Sequence, residues 1–149
     1  MLGIRLSMVL VGVSLLLAAG ASAAKDPNLV RAMAFVDTQC PAKERVISTQ
    51  MWMAGSRFNA LYGNCRAGDG TDRHVWFFLS GRYIGSDTSR PFASRGIFGV
   101  WRDETVIAFM YVLYRANDPN CCPTGGGKIV RFRLKDDHVL RLDPLPKNR

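Results

Sequence analysis

The chain has 149 residues, with 20 Lys and Arg against 12 Asp and Glu, a net charge of +8 and four cysteines. That length builds one hydrophobic core and gives no reason to expect two domains. The positive balance draws the protein toward anionic partners or serves solubility alone, and no basic run marks a specific nucleic-acid site.

The first 23 residues read as a cleaved export signal. Arg5 supplies a positive start, residues 6–19 ("LSMVLVGVSLLLAA") are apolar, and Ala21 and Ala23 form a small-residue site for cleavage before Ala24. The apolar run is too short for a spanning helix. No cysteine precedes Cys40 to take a lipid at the cleavage point. Removing 23 of 149 residues leaves 126, and the loss of Arg5 lowers the net charge to +7. The expectation is a signal peptide over 1–23 and one exported α+β domain over 24–149, periplasmic or secreted, with no transmembrane span in the mature chain.

The mature chain opens on a helix. Asp26 caps it, Pro27 suits its first turn, and Leu29, Val30, Met33 and Val36 fall on one face, with Pro41 closing the region. Residues 46–65 mix β-branched and aromatic side chains and predict one or two strands. Three hairpins follow. Residues 75–79 and 82–85 flank the Ser80-Gly81 turn, residues 96–101 and 105–114 flank "RDE", and residues 128–134 and 138–142 flank "KDD". "TVIAFMYVLY" scarcely alternates, which predicts a central strand covered on both faces. Arg131, Arg133 and Arg141 sit at alternate positions, as on a solvated sheet face. The predicted fold is α+β: an antiparallel meander of about six strands, covered on one face by the amino-terminal helix and stapled by disulfides.

Four cysteines in an exported chain, Cys40, Cys65, Cys121 and Cys122, predict two disulfides with three possible connectivities. Adjacent Cα atoms lie about 3.8 Å apart, below the usual disulfide span of about 4.4 to 6.8 Å. A Cys121–Cys122 bridge is therefore strained and more reducible. The favoured patterns send Cys121 and Cys122 to Cys40 and Cys65 in some order. The vicinal pair is kept as the alternative, because it would make a redox site.

Other chemistry is thin. "CC" lacks the paired spacing of a zinc site, and His74 and His138 are isolated at strand ends. "CPTGGGK" leads into a strand and lacks the phosphate-loop pattern, so its glycines serve a tight turn. Ser80 has no nucleophile motif around it. Asp87 and Thr88 read as turn or capping residues, and Asp136 and Asp137 as a turn. Trp52, Trp76 and Trp101 include a candidate ligand platform, which the sequence does not single out. No catalytic residue, metal ligand or cofactor site is assigned.

The segments "HVWFFLSGRYIGSDTSRP", "YVLYRANDPNCCPTGGGKIVRFRL" and "LDPLP", with "ALYGNC" ahead of the first hairpin, resemble the LppP/LprE family of bacterial envelope lipoproteins. The likeness covers roughly residues 58–146. It implies an exported envelope domain and carries over no catalytic residues; this chain departs from the family in lacking the lipobox cysteine. The resulting expectation is a non-enzymatic binding or structural domain, partnered by an anionic envelope polymer or another exported protein. The competing expectation is a thiol–disulfide protein using Cys121 and Cys122.

Overall fold

The computed structural model describes residues 26–40, 45–65, 73–89, 96–119 and 122–147. The export signal, Pro41 and Cys121 lie outside them. The elements run α1 (Pro27–Gln39), β1 (Val46–Ser48), β2 (Phe58–Asn64), β3 (Arg73–Leu79), β4 (Arg82–Ser86), β5 (Ile97–Arg102), β6 (Val106–Val112), β7 (Gly127–Lys135) and β8 (His138–Arg141). All three predicted hairpins form. The ambiguous stretch before them resolves into β1 and β2.

The single six-stranded meander is corrected to two four-stranded antiparallel sheets, β1-β2-β3-β4 (sheet A) and β5-β6-β7-β8 (sheet B). Side-chain alternation explains the split. Phe58, Ala60, Tyr62, Val75 and Phe77 on one face of sheet A meet Ile97, Ile107, Phe109, Tyr111, Val130 and Phe132 of sheet B. A flat meander would leave these rings in water, and each side chain buried contributes roughly 1.5–3 kcal/mol. Phe77 sits at the centre, with ring centroids 4.8 Å from Phe132 and 5.8 Å from Phe58.

The other face of sheet A is covered by α1. Ala32, Val36 and Cys40 pack with Leu61, Trp76 and Phe78, and Phe35 stacks on Tyr83 at 4.3 Å. The helix starts as predicted: Asp26 accepts from the Asn28 backbone N at 2.9 Å, and its other oxygen accepts from Trp52 Nε1 at 2.8 Å. Its buried stripe runs through Leu29, Ala32, Met33 and Val36, so the placement of Val30 on that face is corrected: Val30 points to solvent. The Ser80-Gly81 turn passes the start of the helix. Both residues have positive φ (49° and 79°), and a Cβ at position 81 would lie 2.8 Å from Asn28 Cα, so only glycine fits there.

The layer order is therefore helix, sheet A, sheet B. This corrects the expectation for "TVIAFMYVLY". Its strand β6 is central in sheet B, but the strands covered on both faces are β2 and β3. Among the described residues no element packs on the outer face of sheet B.

Candidate functional site

A disulfide joins Cys40 to Cys65, with Cα atoms 5.1 Å apart. This overturns the favoured connectivities, in which Cys121 and Cys122 took those two partners. The layers explain why. Cys40 caps α1 and Cys65 follows β2, so both lie in the helix–sheet A layer, whereas Cys122 lies in the β6–β7 connection of sheet B. Cys122 is itself disulfide-bonded. The remaining cysteine of the sequence, Cys121, lies outside the described residues.

The β6–β7 connection is held by hydrogen bonds instead of long cross-links. Leu113 and the glycines exchange backbone bonds: Leu113 N donates to Gly126 O at 2.9 Å, and Gly125 N donates to Leu113 O at 3.0 Å. Gly126 takes φ of 80°, so the tight-turn role expected of the glycines holds. Asp118 accepts from the backbone N of Arg115 and of Thr124, each at 2.7 Å, and from Thr124 Oγ1 at 2.6 Å. The bonds from Thr124 foremost, with that from Arg115, hold its carboxyl below the usual range.

Asp87 is more than the turn residue expected. It is buried at the end of β4 and accepts from Val75 N at 3.1 Å, Thr88 N at 3.0 Å and Tyr111 Oη at 2.7 Å. The last bond joins the two sheets. Burial raises its carboxyl pKa above the ordinary value, against the pull of these hydrogen bonds. A carboxyl raised in the folded state stabilises most below its unfolded pKa, about 3.9. That contribution fades as pH climbs through the folded value. Asp87→Asn keeps the shape and two of the acceptor bonds without the charge. It is expected to change stability by no more than about 1 kcal/mol at pH 7. Urea midpoints of wild type should fall relative to this variant between acidic and neutral pH; parallel pH profiles would contradict the assignment.

The remaining candidates scatter. His74 stacks on Trp76 at 5.2 Å, and His138 opens β8 beside Asp137 at 3.7 Å. Ser80 lies in the β3–β4 turn, and Asp136 and Asp137 make the β7–β8 turn. Of the tryptophans, Trp76 is buried and Trp52 is held by Asp26, while Trp101 is 50 % exposed. Among the described residues these candidates form local pairs only, His74 with Trp76 and His138 with Asp137. Among the described residues no three of His, Cys, Asp and Glu gather as metal ligands.

What the structure does assemble is a surface. Five exposed large apolar side chains, Phe98, Val100, Trp101, Ile129 and Leu140, belong to sheet B. Strand alternation puts them on its outer face, opposite the inter-sheet core. Register lines them up. Phe98 pairs with Met110 and Met110 with Ile129; Trp101 pairs with Ala108 and Ala108 with Arg131; Val106 pairs with Arg133 and Arg133 with Leu140. A bulge between Gly99 and Trp101 leaves Val100 as an extra residue on β5, and Val100 and Trp101 are both exposed. Arg131 is held by Asp143 through paired bonds of 2.8 and 2.9 Å, whose hydrogen bonds to Arg131 pull the Asp143 carboxyl down to about 2. Arg141 pairs with the core residue Phe132, so it does not share the face with Arg131 and Arg133 as expected. Sequence alternation flagged the arginines; the bulge carried no sequence signal.

Residues 45–137 match the model of the LppP/LprE lipoprotein family, a span running from the residue before β1 into the β7–β8 turn. The matched part holds β1 to β7; α1 and Cys40 precede it, and β8 follows it. No curated protein matches the chain, and no solved structure does.

Proposed function

Because the chain belongs to the LppP/LprE lipoprotein family, we propose that it is a domain of the cell envelope that works by binding and not by catalysis. The observation that carries this is the outer face of sheet B, which no described element covers and where exposed Phe98, Val100, Trp101, Ile129 and Leu140 surround exposed arginines. Polar groups at the seam between the layers are spent inward. Asp87 binds Tyr111 across the sheets, and Arg102 binds backbone carbonyls. These bonds tie the side chains to the seam between the layers, which leaves them poorly placed to serve a substrate.

The reading of residues 1–23 as an export signal, together with the family, supports a periplasmic or secreted place. In that setting the net charge favours anionic surfaces. The test is retention of the purified mature protein on washed envelope fractions. Retention at low ionic strength that falls as salt shortens the Debye length to about 3 Å near 1 M is expected. No retention at low salt would remove the proposal.

A further inference from the structure

The outer face of sheet B sorts its chemistry along the strands. At one end lie Phe98, Met110 and Ile129, and in the next row Val100 and Trp101 stand beside Ala108 and Arg131. Arg133 and Leu140 come after. The carboxylates Asp103, Glu104, Asp136 and Asp137 are confined to the β5–β6 and β7–β8 turns, at the far end. Among the described residues, Asp143 is the carboxylate bonded within the face, to Arg131. Among the described residues Arg133 has no ion-pair partner. Apolar tips and guanidinium groups therefore share one face, and acid is held at its edge.

We infer that this face docks on an anionic phospholipid bilayer surface, with Phe98, Val100, Trp101 and Ile129 entering the interface and Arg131 and Arg133 meeting the head groups. The inference rests on the envelope-binding proposal above and names its partner. Aromatic and aliphatic side chains are stabilised at the boundary of head groups and acyl chains, and cations by the negative surface potential beside it. A hydrated anionic polymer would engage the arginines and leave the apolar tips in water. A second copy of this chain would oppose arginine to arginine, and the bulge in edge strand β5 spoils an edge-to-edge ladder. The bilayer satisfies both sets of groups.

The experiment is co-sedimentation of the mature protein with vesicles of equal parts phosphatidylglycerol and phosphatidylcholine, and with vesicles of phosphatidylcholine alone. Binding is expected to the anionic vesicles only. Arg133→Glu should weaken it about thirtyfold, since each cation near the surface counts for roughly fivefold. Trp101→Ala should weaken it about tenfold. Both sites are exposed, and circular dichroism and melting temperature confirm that the variants fold. Fluorescence should shift to the blue on binding in wild type and not in Trp101→Phe, which retains Trp52 and Trp76. Retention on envelope fractions without vesicle binding would overturn the lipid inference and leave the envelope-binding proposal standing. Equal binding to both vesicle types, or binding indifferent to the two substitutions, would also overturn it. So would a concentration-dependent dimer abolished by Trp101→Ala, because that face would then belong to a second copy. Loss of both retention and vesicle binding would remove both.

Discussion

Arg102→Ala is expected to lose about 3 kcal/mol of stability, the upper end for hydrogen bonds to a charged group, because four are lost at one partly buried site. Arg102 ends β5 on the inner side of sheet B and reaches across to sheet A. Its Nη1 donates to Met51 O at 2.8 Å and Asn59 Oδ1 at 2.7 Å. Its Nη2 donates to Ser56 Oγ at 2.9 Å and Phe58 O at 2.8 Å. The planar guanidinium suits four acceptors held at fixed angles, and it stays charged although burial pulls its pKa down. Removing it orphans those acceptors in the seam between the layers. Ser56 keeps Glu104, and Asn59 keeps the Met53 N–H, so the connection is frayed and not erased. Arg102→Lys should recover less than half of the loss, because one ammonium cannot reach both pairs. Urea unfolding followed by circular dichroism measures both variants. A loss for Arg102→Ala below about 1 kcal/mol, the worth of a solvent-exposed pair, would show the network to be screened by water.

Replacing Cys40 and Cys65 together by alanine should cost about 3 kcal/mol. The bridge closes a separation of 25 residues, and its effect falls mainly on the unfolded chain. The closed segment contains β1, the Met51–Trp52 connection and β2, so the bridge fastens the helix layer to sheet A. The native inter-sheet core does not include it. The variant should therefore keep its near-ultraviolet spectrum at low temperature while its urea midpoint falls. Its m value should rise slightly as the unfolded chain expands. Non-reducing peptide mapping of wild type should find Cys40 joined to Cys65. A Cys40 peptide joined to the segment holding Cys121 and Cys122 would contradict the layer arrangement.

The local structure was largely written in the chain. Asp26-Pro27 announced the helix, Ser80-Gly81 the first hairpin, and the alternation of Val130, Arg131, Phe132 and Arg133 a strand with one wet face. What could not be read was which faces meet. The strand β6 shows an unbroken apolar run: Val106 and Ala108 are buried on the outer side of their own sheet, where no described element packs, and Ile107 and Phe109 on the inner side. Sequence cannot separate these two kinds of burial. The same blindness misplaced the cysteines. Cys121 and Cys122 looked available to distant partners, but Cys40 and Cys65 share the helix–sheet A layer and Cys122 lies in the β6–β7 connection of sheet B. Asp87 was legible as a residue after a strand, but its buried bond to Tyr111 depends on the approach of a strand 24 positions away. Trp101 could be told from Trp52 and Trp76 only after the layers were assigned.

The central claim is that the outer face of sheet B is the working surface of an envelope-binding domain. Its most direct test is envelope retention measured side by side on three proteins: wild type, a Trp101→Ser/Ile129→Ser variant of the outer face, and Val30→Ser on the exposed side of α1. The account predicts that Val30→Ser is retained like wild type, while the sheet variant loses at least about tenfold in apparent affinity from its lost apolar burial. Retention weakened by Val30→Ser and untouched by the sheet variant would contradict it.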